Sequence, residues 1–190
     1  MACPINVDNK FDCANQVQGG ITARLLLYNW QDWQAGTITE GVDGRITDYT
    51  NAVDIKAFDY SVADSGNVIP SVALRAVDGG ADGFDHQVIS AGFDISEVGK
   101  AEIDKMRFQK IVAIIERVNG TAEVYGRNVG LRLSDYQYSP GSSDLGGVIQ
   151  FTLKTPDNDP PEIKGATTID AGSPASTVAL LDGLTTVGVV

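Results

Sequence analysis

Residues 110–133, KIVAIIERVNGTAEVYGRNVGLRL, constrain this chain more than any other stretch. Positions 111–115 are an unbroken apolar run, IVAII, built mostly from isoleucine and valine. Such β-branched side chains are stiff at χ1 and fit a pleated surface, so the run predicts a strand buried on both faces. A buried helix is the rival reading, but the run is short and leads into Asn119-Gly120. That dipeptide suits the two positive-φ positions of a type I′ hairpin turn. The return segment, 121–125, alternates Ala122 and Val124 with Glu123 and Tyr125, which predicts one dry face and one wet face. Gly126 and Gly130 then interrupt the ladder as a second turn or bulge. Leu131 and Leu133, with Arg132 pointing the other way, start a third strand. This β-meander is the expected nucleus of a mainly β domain, a β-sandwich or β-barrel with one short flanking α-helix.

A chain of 190 residues is long enough for one domain with a sizeable core. The formal charge of −11 is unevenly spread. Residues 1–95 carry 13 acids and 5 bases, residues 96–134 carry 5 and 7, and residues 135–190 carry 7 and 2. Net acidity speaks against a surface that grips nucleic acid, which needs clustered Lys and Arg. It serves solubility, or lets the basic middle of one subunit meet an acidic flank of the next. Cys3 and Cys13 follow a start with no basic region or apolar core, so neither a signal peptide nor a disulfide is expected. No apolar run approaches the length that spans a bilayer, and no membrane partner is expected.

In chain order, 1–18 reads as an irregular N-terminal arm and Gly19-Gly20 release a strand at 21–28. Trp30 and Trp33 follow, and are expected in the core under a loop edge. Residues 36–50 read as a hairpin, 53–62 as an alternating strand with a mid-course bulge, and 71–77 as another strand. The loop 78–83 mixes Asp with Gly as calcium loops do, but lacks their regular spacing and distal Glu. Residues 84–95 predict a long strand with Ile89, Ala91, Phe93 and Ile95 inward and His86 near its start on the surface. One helix is predicted over 97–108, with Ser96 as N-cap and Lys105, Arg107 and Lys110 at the end where the macrodipole favours cations. The last strand is expected at 147–155, with Ile149, Phe151 and Leu153 facing in. The prolines at 156–161 predict the end of a domain spanning 19–162. Residues 163–190, apolar and nearly uncharged, read as a C-terminal arm that orders on assembly.

Chemistry is expected nowhere in this pattern. A nucleophile elbow, a phosphate loop, a dinucleotide fingerprint and paired metal-ligand motifs are all absent from the sequence. The single histidine has no matched Ser, Cys or second His, and two cysteines with it make no zinc site. No catalytic, cofactor-binding or metal residue is assigned. The residues singled out are turn and assembly candidates: Asn119, Gly120, Tyr125, Gly126, Gly130 and Leu131.

The order of these features is distinctive. A Met-Ala-Cys start precedes a second cysteine, then Gly19-Gly20 before a strand, then a helix carrying Glu102, Lys105 and Arg107. A strand ending in Asn119-Gly120 follows, and then the aromatic-Gly-x-x-x-Gly-Leu segment at 125–131. Over residues 1–162 this resembles virion structural proteins of tailed phages of Bacteroidetes-type bacteria, and more loosely the phage tail-tube family. The resemblance implies a β-sandwich or barrel whose copies join as hexameric, sometimes dodecameric, rings. These would stack into a tail tube or neck conduit in the virion, assembled in the bacterial host cytoplasm. Its partners would be further copies of itself and neighbouring tail or neck proteins. Genomic DNA would pass without specific binding, eased by an acidic lumen. A tail-terminator, head–tail connector or head-decoration protein is the second structural reading. An adhesin or receptor-binding module is the reading from another class.

Overall fold

The structure, a computed structural model, describes residues 21–60, 67–77, 82–93, 97–139 and 148–186. The expected N-terminal arm with Cys3 and Cys13, the 78–81 part of the Asp/Gly loop and residues 140–147 lie outside the described residues.

The chain is mainly β, with two sheets packed face to face, two helices on the outer side of one sheet and a third packed into the core between the sheets. The larger sheet has the order β2-β3-β11-β8-β7-β1-β4 and the smaller β5-β6-β10-β9. Its strands are β1 (Ile21–Asn29), β2 (Thr37–Glu40), β3 (Ile46–Thr50), β4 (Phe58–Asp59), β5 (Asn67–Arg75) and β6 (Gly83–Phe93). They continue as β7 (Ile111–Arg117), β8 (Ala122–Tyr125), β9 (Arg132–Ser139), β10 (Val148–Lys154) and β11 (Thr167–Ile169). Helices α1 (Trp30–Ala35), α2 (Glu97–Lys105) and α3 (Pro174–Leu184) complete it, with a 3-10 turn at Met106–Phe108.

β7 is buried on both faces, as its composition requires. Ile111, Ala113 and Ile115 join Leu25 and Leu27 against Val88, Ile149, Phe151 and Leu153 of the small sheet, making the inter-sheet core. Val112 and Ile114 point the other way with Leu26, Ala122 and Val124, into a second core roofed by Trp33 of α1 and by Leu181 and Leu184 of α3. A strand between two apolar layers has no wet face, hence its unbroken run. α2 brings Ile103, and the turn after it Met106, into the inter-sheet core.

Several expectations are corrected. Three helices are present among the described residues, not one. The hairpin after β7 is not type I′: Gly120 has φ +78° while Asn119 is not left-handed. Gly120 N–H donates to the Arg117 carbonyl at 2.9 Å and Arg117 N–H to the Thr121 carbonyl at 2.8 Å. Those two bonds define a longer loop with glycine at its single left-handed position. The Asn119 side chain accepts from Thr121 N–H at 3.1 Å, which is its part in the turn. Tyr125 is not on a wet face but buried between the sheets. The third strand does not extend the meander: Leu131 bridges back to Ile111, and β9 then crosses to pair with β10.

Within the described part of the strand expected at 53–62, only β4 forms, two residues pairing with Leu26 and Leu27, with Asp54 at φ +64°; positions 61–62 lie outside the described residues. Over His86–Ala91 strand β6 faces the opposite way from the prediction; a register shift then sets Phe93 opposite Ile149, and Ile95 lies outside the described residues. His86, Val88 and Ser90 are buried, whereas Ile89 and Ala91 are half-buried on the outer face. Both phases of this strand carry apolar residues, so alternation alone does not choose between them.

The largest correction concerns the C-terminus. The fold does not stop at the prolines of 156–161. β11 lies inside the large sheet, antiparallel to β8 and parallel to β3. α3 then packs Thr177, Leu181 and Leu184 onto it. The signal was present in the sequence. Ser173 caps the helix through Ser176 N–H at 3.1 Å, and Pro174 occupies the first turn.

Candidate functional site

The turn at 126–130 is the point where separate elements meet. Gly126 and Gly130 have φ +73° and +83°, and Gly130 N–H donates to the Gly126 carbonyl at 3.0 Å. A side chain at Gly126 would meet Leu131 Cγ at 2.6 Å, and one at Gly130 would meet Lys110 Cβ at 2.9 Å. Glycine is required at both for conformation and for space.

This turn offers its N–H groups inward as a nest for an anion, and Glu162 fills it. The fully buried carboxylate accepts from Asn128 N–H at 3.0 Å and Val129 N–H at 2.9 Å. His86 is the second anchor. Its Nδ1 accepts Gly126 N–H at 3.0 Å, and Nε2 lies 3.1 Å from the Lys164 carbonyl, so Nε2 carries the proton. Burial pushes the imidazole pKa below its ordinary value, against the opposing pull of Glu162 and Asp85. From α1, Trp30 Nε1–H donates to Asn128 O at 3.1 Å and Gln34 to Arg127 O at 2.7 Å. The Arg127 guanidinium pairs with Glu40 of β2 and holds that carboxyl below the usual range.

His86 and Glu162 are buried, and their polar atoms are committed to backbone groups. The cluster is therefore a structural clamp joining the small sheet, the large sheet, α1 and the C-terminal segment. The expectation that His86 lies on the surface fails because its polar partners come from distant parts of the chain. Among the described residues no group of His, Cys, Asp and Glu could hold a metal ion.

The six turn and assembly candidates are all used internally. Tyr125, Gly126, Gly130 and Leu131 are buried around the clamp. Asn119 and Gly120 sit at the far end of β8, where a side chain on Gly120 would collide with Pro174 of α3. The exposed interaction features lie instead on the small sheet, which sequence reading did not single out.

Among the described residues, that sheet has two edges without a partner strand, β5 and β9. β5 is nine residues long, and only Arg75 in it is charged. Val72 and Leu74 share the inner face with buried Val68, through their partners His86 and Phe84, but remain 39% and 69% exposed; Ile69 on the outer face is 49% exposed. On β9, Tyr136 and Tyr138 are partly exposed, and the Lys100 ammonium lies 4.6 Å from the Tyr138 ring. Beside them, Lys100, Asp104, Arg107, Leu133, Asp135 and Tyr136 line a groove of about 550 Å³. Its two cations and two anions cancel, and Arg107 pairs with Asp104 at 3.1 Å.

The pairing registers place Arg75, Asp85, Arg132, Asp135 and Lys154 on the outer face of the small sheet. The rest of that face is Ile69, Ser71, Ala73, Gln87, Ile89, Ala91, Gln137, Gln150 and Thr152. Among the described residues it is therefore nearly neutral, not acidic.

Comparison with protein-family models, with curated proteins and with solved structures finds no match for this chain. No helix among the described residues is long and apolar enough to cross a membrane.

Proposed function

We propose that this chain is a virion structural protein of a tailed phage. Its copies close into a ring, hexameric in the leading form, and the rings stack into a tail tube or neck conduit. The observation that carries the reading is the β5 edge, which no strand among the described residues covers. Pro70 interrupts the row of N–H donors, but the 71–75 half of the strand is nearly uncharged with Val72 and Leu74 exposed, and its free N–H and C=O groups can template pairing with another chain. The second free edge of the same sheet, β9, lies on the opposite side. Pairing β5 of one copy with β9 of the next is a head-to-tail contact, which closes into a ring when the rotation allows.

In such a ring the small sheet would wall the passage. Its outer face carries three cations and two anions. DNA would then slide because the wall offers few charges to hold phosphate, and not because an acidic lumen repels it. Neighbouring tail or neck proteins would contact the loops at either end. No catalytic role is part of this reading.

Electron microscopy and mass photometry of the purified full chain test it. Annular particles or tubes are expected at high concentration, and a population of monomers alone would overturn the ring. Mass spectrometry of isolated tails would place the protein in tube, terminator, neck or decoration.

A further inference from the structure

We propose that the slot between β3 and β8 is a strand-acceptor site, and that in the assembled ring the 162–170 segment of a neighbouring copy fills it. This rests on the ring-forming reading and adds to it a named contact between copies.

The slot does not depend on the strand inside it. Nothing pairs β3 with β8 directly; β11 alone joins them in the sheet. Yet the β2–β3 hairpin is held from elsewhere. Tyr49 of β3 stacks on Trp33 of α1 at 4.2 Å and 3°, its hydroxyl donates to the Trp33 carbonyl at 3.0 Å, and Glu40 pairs with Arg127. Removing β11 would therefore leave a gap one strand wide between two positioned backbones.

The segment in the gap is bound as a peptide ligand is bound. Its acid, Glu162, enters the nest of backbone N–H groups, and its Lys164 carbonyl faces His86 Nε2. Thr167, Thr168 and Ile169 add as a strand to β8. Ile169 is buried in the helix-side core, and Asp170 accepts from Arg45 at 3.0 Å. Backbone pairing supplies affinity, while an acidic anchor and an apolar pocket supply register, the pattern of strand-addition ligands.

The connection to this segment is a ready hinge. Three of the six residues at 156–161 are proline, which favours an extended course. The loop starts and ends on one strand: Thr155 N–H donates to the His86 carbonyl and Glu162 N–H to the Phe84 carbonyl, each at 2.9 Å. Straightened, six residues reach about 20 Å. Such a linker lets the segment, with α3 following three residues after it, seat on an adjoining copy, where the contacts of the slot and of the helix-side core are made again with the partner's walls.

The test uses full-length chains with Cys3 and Cys13 changed to serine. Val124 and Thr167 are directly opposite in the β8–β11 ladder. One chain carries Val124→Cys, a second carries Thr167→Cys, and the two are co-expressed, assembled and oxidised. Exchange predicts a covalent dimer of the two chains, and the doubly substituted chain should give a ladder of linked copies. Rings in which the double variant links only within itself overturn the exchange and leave the ring standing. Monomers linked only within themselves overturn both. Failure of the double variant to link at all overturns the register on which the exchange depends.

Discussion

His86 Nδ1 accepts the backbone N–H of Gly126 at 3.0 Å, so a side chain from the small sheet closes a turn of the large one. The imidazole is buried, with its other nitrogen on the Lys164 carbonyl. Only the neutral ring can accept that N–H. The unfolded chain takes up a proton near pH 6.5, while the folded pKa is lower, so the unfolded state binds more protons between the two values. Stability is then full above pH ~6.5, falls as pH drops toward the folded pKa, and levels off below it. The slope reaches at most ~1.4 kcal/mol per pH unit. Urea midpoints at intervals from pH 5 to 8 should show this, and His86→Asn should flatten it. His86 is the only histidine, so no other can produce the effect. A wild-type profile that is flat between pH 5.5 and 7 would refute the clamp's titration.

Glu162 is the anion in the 126–130 nest. Glu162→Ala leaves the N–H groups of Asn128 and Val129 buried without an acceptor, and should cost about 2–4 kcal/mol. Glu162→Gln keeps one carbonyl oxygen and should lose less. Denaturant unfolding of the two variants checks the order, and equal losses would mean that the charge and the second acceptor oxygen contribute nothing.

Two glycines with similar dihedrals should respond differently to alanine. Gly126 and Gly172 have φ +73° and +88°, but only Gly126 has a neighbour, Leu131, where the new methyl would go. Gly172→Ala should lose about 1 kcal/mol, the left-handed cost. Gly126→Ala adds overpacking and should lose about 2–4 kcal/mol. Thermal melts that rank the two the other way would contradict the geometry.

The C-terminal helix belongs to the core. Leu184 is buried among the helix-side cluster, and its carbonyl accepts from Ala57 N–H at 2.8 Å. Leu184→Ala should destabilise the isolated chain by about 2–5 kcal/mol. A change below ~0.5 kcal/mol in urea would mean that α3 leaves this site in solution.

The β5 edge separates assembly from folding. Val72 and Leu74 are exposed, so Val72→Lys with Leu74→Lys should shift the unfolding midpoint little, within ~0.5 kcal/mol. Two added charges on the edge should abolish ring formation. Mass photometry of wild type and variant at equal concentration reads this directly, and persistent rings would exclude β5 from the contact.

Local pattern was a good guide wherever one segment's own residues settle its environment. The IVAII run dictates a doubly buried strand because no member tolerates water, and the structure buries all five residues. Alternation in β10 dictates which face Ile149, Phe151 and Leu153 take, since the intervening Gln150 and Lys154 favour solvent. Gly126 and Gly130 mark a turn because glycine takes positive φ most readily. Burial of His86 and Glu162 was not legible, because their partners at 126–130 are 40 and more than 30 positions away in the chain.

The role of residues 163–186 was decided in the same way, by distance. Thr167, Thr168 and Ile169 are too few to announce a strand, and become one only because β3 and β8 stand apart with unpaired backbones on either side. Composition and spacing thus dictated a mainly β chain, its central strand and its glycine turns. Which strands became neighbours, which polar groups went inside and which edges stayed open depended on contacts between remote segments, where burial is affordable only once a partner has arrived.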